Sequence, residues 1–141
     1  MVKNMNMASE AQGAAAVPAP GPGRQAAVVE VGREAGRPVD LAHLARQTFG
    51  SRELETEVLR LFQGQSVTLL ERIRHEPATE RLRAAHTLKG SARGIGAWRV
   101  ARLAEAVEKV DQGPAEAARV GAELASAIEE ANDFIVALSA A

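Results

Sequence analysis

The sequence predicts an all-α protein, an up-down antiparallel four-helix bundle preceded by a short extra N-terminal helix, on three observations. Of the 141 residues, 46% are hydrophobic but only 3% aromatic, and Ala, Leu, Arg and Glu recur beyond residue 40. Those four are good helix formers, whereas sheets lean on β-branched and aromatic side chains. Beyond residue 40 the apolar positions repeat at three- and four-residue spacing. The segments so patterned are joined by short stretches bearing Gly or Pro, and short joints make neighbouring helices antiparallel.

Each element has its own signals. Residues 1–37 contain no Leu, Ile, Phe or Trp, and from Gly13 to Pro38 the chain is built largely of Ala, Gly and Pro. Such a segment cannot bury enough apolar surface to offset the entropy of ordering it. It is expected to be a flexible tail, with Val28, Val29 and Val31 as its one means of docking locally. The folded domain is expected over residues 38–141. Asp40 is placed to cap a short helix with Leu41, Leu44 and Ala45 inward, ended by Gly50. Ser51 caps a second helix whose stripe reads Leu54, Val58, Leu61 and Phe62, continuing through Leu69 and Ile73 to a stop at Pro77. Gly64, inside that helix, costs about 1 kcal/mol relative to Ala and hints at close packing or a kink. A third helix runs from about Ala78 to Arg93, and one glycine of Gly94-Ile95-Gly96 suits a left-handed cap. A fourth spans about Ala97 to Val110 with Val100, Leu103, Val107 and Val110 inward. Pro114 opens the last, striped by Ala117, Val120, Leu124, Ile128, Ile135 and Leu138.

Composition narrows function less sharply. A formal net charge of −1 gives no global attraction to nucleic acid or an anionic membrane. Zero cysteines exclude disulfides and thiolate metal sites. No apolar run approaches the roughly 20 residues of a membrane span, and the N-terminus lacks a secretory signal's apolar stretch. A cytoplasmic protein is the expectation.

The third helix carries the chemistry. At about 100° per residue, Ala85, Leu88, Ala92 and Ile95 share one face, which is the expected core side. Leu82, His86, Lys89 and Arg93 share another, roughly 100–140° away, with Thr79 and Gly90 beside them. His86 is therefore expected to face solvent. A surface histidine near a lysine is usually only a solvated face, but three features single this one out. Gly90 sits inside the helix at a cost of about 1 kcal/mol and leaves room for a partner's backbone or a phosphoryl group. Residues 81–102 hold six basic residues and no acidic one, in a chain that is acidic overall, which reads as a positive patch around the histidine. Leu82 adds a small apolar surface suited to docking. An exposed imidazole ordinarily titrates near about 6.5, so its neutral form is available at neutral pH to attack phosphorus. The charge of the phosphoramidate product would be met by Lys89 and Arg93.

His86-Thr87-Leu88-Lys89-Gly90-Ser91-Ala92, followed by Ile95-Gly96-Ala97, closely resembles the signature of histidine-containing phosphotransfer (HPt) domains: a histidine, a hydrophobic residue at +2, lysine at +3, glycine at +4 and a later glycine near the helix end. Asp40-Leu41 through Phe49-Gly50, and the helix with Leu61-Phe62, look like the family's opening helices, so the resemblance covers about residues 38–140. It implies that His86 is the phosphorylated nucleophile, attacking through Nε2, and that Lys89 neutralises phosphate charge. Gly90 would let a receiver domain approach, with Leu82 and Arg93 on the same docking surface. It further implies a multistep phosphorelay in which His86 takes a phosphoryl group from a receiver-domain aspartate and passes it to another receiver. The partners would be receiver domains of hybrid histidine kinases and of response regulators. No cofactor of its own is expected, with Mg2+ only in the partner receiver domain, and a monomer is expected so that the histidine face stays free.

Competing readings fit less well. The dimerisation domain of a sensor kinase usually has an acidic residue directly after its histidine, where this chain has Thr87. The stretch after His86 is too short for an ATP-binding domain and no Gly-rich phosphate loop is present, so no autonomous kinase activity is expected. A di-metal bundle needs Glu-x-x-His pairs, but Asp40, Arg72 and Arg83 stand three before His43, His75 and His86. His43 reads as a partly buried helix residue, His75 as an exposed helix end, and Trp98 as a packing anchor or partial cap at the bundle end. No recognition motif or stacking aromatics accompany the arginines, so nucleic acid is not expected as a partner. The alternative that stays open is a non-catalytic helical adaptor that binds receiver or kinase domains without being phosphorylated.

Overall fold

A computed structural model describes residues 2–4, 6–7, 37–109 and 113–140. The chain divides into two units, Met1–Arg37 and Pro38–Ala141. In the first, β1 (Val2–Asn4) and β2 (Asn6–Met7) pair in parallel with an irregular register. The rest of the expected flexible tail, including Val28, Val29 and Val31, lies outside the described residues, as does Val110.

The second unit is all-helical among its described residues: α1 (Leu41–Gln47), α2 (Arg52–His75), α3 (Ala78–Ile95), α4 (Trp98–Lys109) and α5 (Pro114–Ala140). The neighbours are α2 with α3, α3 with α4, α4 with α5 and α5 with α2, which closes a four-helix bundle, while α1 lies against α3. Across α3 and α4, Lys89 meets Glu108 and Arg93 meets Glu105, so numbers rise on one helix as they fall on the other. That is the antiparallel arrangement expected of helices joined by Gly96 and Ala97 alone.

The caps hold the joints. Asp40 Oδ1 accepts from the backbone N–H of His43 at 3.1 Å, and Ser51 Oγ from that of Leu54 at 3.1 Å, each satisfying a donor that a helix start leaves open. α3 ends two residues later than its expected stop at Arg93, because Gly96 takes the left-handed conformation at φ 81°. A side chain there would meet Asp40, with Cβ 2.8 Å from the aspartate Cβ and 3.0 Å from its carbonyl oxygen. Gly96 therefore lets the start of α1 close over the end of α3, and the Asp40 N–H donates to the Gly96 carbonyl at 2.9 Å. α1 stops at Gln47, before the expected Gly50. Thr48 turns its hydroxyl back onto the Leu44 carbonyl at 2.9 Å, and Phe49 follows at φ 55°, a region costly for a bulky residue.

The core is centred on α3, whose Ala85, Leu88, Ala92 and Ile95 are buried as expected, with Ala84 added. Facing alanines on α4, Ala101 and Ala104, let the two helices pack closely. On α2 the expected stripe is shifted: Leu59, Phe62, Ser66, Leu69 and Ile73 are buried, whereas Leu54 and Leu61 are 41% and 53% exposed. Ser66 hid that phase, because a hydroxyl stands where a core side chain was sought. Asn132 Nδ2 donates to it at 3.2 Å, and it donates to the Gln63 carbonyl, so its burial is compensated. On α5 Ala117 is exposed and Leu138 half-buried, while Ala127 and Ala131 join the buried Val120, Leu124, Ile128 and Ile135. Gly64 produces no break in α2, and a side chain there would have open space around it. No described helix is long and apolar enough to cross a membrane.

Candidate functional site

Helical periodicity puts His86 on the outer face of α3, where its side chain is 71% exposed. The ring is not left to swing freely. Nδ1 lies 2.8 Å from Oε2 of Glu108, which α4 presents across the seam. Glu108's other oxygen, Oε1, is closed off from solvent and lies 2.6 Å from Nζ of Lys89. That contact is ionic, the ammonium sitting off the direction of a formed hydrogen bond. One carboxylate thus joins the two residues singled out by the sequence. It is held below the usual carboxylate range, foremost by Lys89 and further by His86, against the opposing effect of partial burial.

An ionised carboxylate can only accept, so the hydrogen of the His86–Glu108 bond belongs to Nδ1. The neutral ring then keeps its lone pair on Nε2, on a side chain that is largely exposed. The identity of the nucleophilic nitrogen is thereby fixed by a residue 22 positions away.

The other expected residues take mixed places. Leu82 is 41% exposed on the same face. Gly90 is exposed, and a Cβ on it would meet nothing within 4 Å, so no internal packing demands a glycine there. Lys89 is not the freely solvated residue that the wheel implied. Its side chain is only 16% exposed because the stem lies along the α3–α4 seam to reach Glu108. Arg93 is drawn to Glu105 at 3.5 Å, and Glu105 also pairs with Lys109. Two turns, about 10 Å along the axis, separate it from His86. The six-residue positive patch is largely neutralised in the fold: Arg83 pairs with Glu80, Lys89 with Glu108, Arg93 with Glu105 and Arg99 with Glu130. The run had no acidic residue within it, but the fold supplies carboxylates from outside it.

Glu108 is the residue that sequence reasoning missed. Its signal was present in the spacing, since Glu105 and Glu108 on α4 are three apart and face Arg93 and Lys89, four apart on α3, once the helices are set antiparallel.

The remaining histidines lie elsewhere. His75 is exposed, 3.3 Å from Glu71. His43 is half-buried at the bundle end, its Nε2–H donating to the Arg93 carbonyl at 2.8 Å and its ring set edge-to-face with Trp98, the centroids 4.8 Å apart. Burial, above all, pushes its pKa down. Trp98 in turn donates from Nε1 to Asp40 Oδ2 at 3.0 Å, which makes it the packing anchor expected there. Among the described residues no group of three or more His, Asp or Glu side chains comes together as a metal site would require.

A family model described as "Hpt domain" matches residues 57–134, more than half of the chain, from within α2 to within α5. Searches of curated proteins and of solved structures returned no match.

Proposed function

From the premise that this chain belongs to the Hpt domain family, whose members serve histidine phosphotransfer in phosphorelays, we propose that it carries a phosphoryl group on Nε2 of His86. It takes that group from the phosphoaspartate of one receiver domain and hands it to the aspartate of another. The observation that carries this reading is the His86–Glu108 bond of 2.8 Å on a ring that is otherwise exposed.

The steps follow from the geometry. The Nε2 lone pair attacks phosphorus, the N–P bond forms, and the P–O bond to the donor's aspartate breaks, leaving a carboxylate behind. The ring now bears positive charge, and Glu108 stabilises it through the proton that stays on Nδ1. Lys89, already beside the same carboxylate, is the nearest cation for the phosphoryl oxygens. Phosphoryl transfer is mostly positioning and charge neutralisation, so the partner supplies what remains, including its own Mg2+. Gly90 and Leu82 lie on the approach side of the imidazole. Arg93, tied to Glu105, serves the approaching surface rather than the phosphate.

A chase experiment tests this. The protein is loaded from a small phosphoramidate donor, freed of it, and mixed with a purified receiver domain of a response regulator. Phosphate should leave the protein and appear on the receiver aspartate. Stable binding of the receiver with no labelling of His86 by any donor would instead fit the non-catalytic adaptor.

A further inference from the structure

Two histidines of this fold have one ring nitrogen held, and they are held differently. His43 meets a neutral acceptor, the Arg93 carbonyl, at 2.8 Å. His86 meets a carboxylate, Oε2 of Glu108, at the same 2.8 Å. A carbonyl would suffice to keep a proton on Nδ1 and so choose the attacking nitrogen. The charge on Glu108 is surplus to that task, yet the fold maintains it. The Glu108 side chain is only 21% exposed, and Lys89 stands 2.6 Å from its second oxygen. The carboxyl is thereby held ionised, foremost by Lys89, although burial opposes this.

A negative charge beside Nδ1 does little for a neutral ring and much for a cationic one. In the carrier cycle the ring is cationic while Nε2 bears the phosphoryl group. Release breaks the Nε2–P bond, and the bonding pair returns to Nε2. The proton stays on Nδ1, and the phosphoryl group passes to an oxygen of water or of a receiver aspartate. The ring departs neutral, in the tautomer that began the cycle, and no proton has to be supplied. Had Nδ1 lost its proton first, the same cleavage would expel an imidazolate, a strongly basic and poor leaving group. The other charged groups around this part of α3 do not share the task. On α4, Glu105 lies between Arg93 and Lys109. On α3 itself, Glu80 is taken by Arg83. From α2, Arg60 and Arg72 reach the groove that Arg83 and Thr87 border, and Arg60 holds Glu57. α1 meets α3 at its far end, where Asp40 and His43 contact Gly96 and Arg93. Among the described residues, Glu108 is therefore the group placed to favour a charged ring.

We propose that Glu108, by holding the Nδ1 proton on the phosphorylated ring through its negative charge, drives release of the phosphoryl group from His86. The loaded protein is then a short-lived carrier rather than a phosphate store. The inference rests on the phosphotransfer reading of His86 and adds a role in unloading to the choice of attacking nitrogen. The two roles are separable, because a glutamine can accept from Nδ1–H without carrying charge.

The test uses the full chain, loaded on His86 from a small phosphoramidate donor and then freed of it. Water is the acceptor, so no partner has to dock. Loss of phosphate is followed by phosphorus NMR between pH 6 and pH 9 in wild type, Glu108→Gln and Glu108→Ala. Removing the charge should lower the pH at which release begins to slow by about one unit. At pH 8 both variants should then keep their phosphate about tenfold longer than wild type. The three proteins should decay alike in urea, where Glu108 no longer meets the ring. Val136→Gln, at an exposed position on α5, should match wild type. Equal lifetimes in the folded proteins, with His86 labelled, would overturn the unloading role and leave the phosphotransfer reading standing, as would a difference that persists in urea. Absence of any label on His86 in wild type would overturn both. Should the variants melt early, nitrogen-15 NMR of the phosphorylated wild-type ring decides. Nδ1 should keep its proton to a pH about one unit higher in the folded protein than in urea, and a common midpoint would defeat the proposal.

Discussion

Replacing Glu108 separates the orientation of the nucleophile from its mere presence. In the folded protein Oε2 accepts from His86 Nδ1 at 2.8 Å while Oε1 faces Lys89 at 2.6 Å. A hydrogen bond to a charged group is worth about 1.5–3 kcal/mol. The ring is 71% exposed, however, and water competes for Nδ1, so the ordinary net value of about 1 kcal/mol is the better guide. At about 1.4 kcal/mol per decade, that is roughly a fivefold bias toward the tautomer with its lone pair on Nε2. Glu108→Ala should therefore slow phosphorylation of His86 by a small donor by about fivefold, and Glu108→Gln, which keeps an acceptor oxygen, by less. The carboxyl is held below its ordinary 4.5, so it is ionised throughout the neutral range. Its contribution to stability is present above 4.5 and lost only as pH falls through the lower folded value. Nitrogen-15 NMR of the labelled imidazole reads the tautomer directly, alongside the labelling rate. An unchanged tautomer population in Glu108→Ala would refute the orienting role, as would an unchanged rate.

The two informative glycines of α3 should respond in opposite directions. Gly90→Ala should raise stability by up to about 1 kcal/mol, since its Cβ enters open space. Gly90→Gln should stay folded and react with a small donor, yet transfer poorly from a receiver whose backbone it holds away. Early melting of Gly90→Gln would assign that glycine to helix packing instead. Gly96→Ala combines a left-handed φ, costing about 1–2 kcal/mol, with a 2.8 Å approach to Asp40. Its melting temperature should fall by roughly 8 °C or more, and a wild-type value would mean that α1 does not close over α3 as described. Burial lowers the pKa of His43 below 6.5, although Asp40 and the Arg93 carbonyl favour the charged ring. Its stabilising contribution is therefore present above pH 6.5 and lost as pH falls through the folded value. The wild-type melting temperature should drop between about pH 7 and 5.5 more steeply than that of His43→Gln, and parallel curves would refute this.

Much of the fold was legible because it rests on local rules. The caps at Asp40 and Ser51, the core face of α3 and a left-handed glycine at its end follow from residue type and spacing alone. The phase of α2 was less legible, because a buried Ser66 interrupts the apolar pattern while Leu54 and Leu61 imitate it on the exposed side. Phe49 in a left-handed turn had no signal at all, since a bulky aromatic is the wrong residue for that backbone. At the site, periodicity was enough to bring His86 to the surface. The restraint of Lys89, the neutralisation of the arginines and the role of Glu108 all depend on which helix lies beside α3 and in what register. A wheel drawn for one helix carries no such information.

The phosphorylated atom is the most direct measurement. The purified protein is incubated with a phosphorylated receiver domain, and the acid-labile phosphate is mapped by mass spectrometry and phosphorus NMR in wild type and in His86→Gln. One phosphoryl group on Nε2 of His86, and none in a His86→Gln protein of unchanged helicity, is the expected result. Label retained in that variant, or found on His43 or His75, would contradict the assignment of His86 as the carrier.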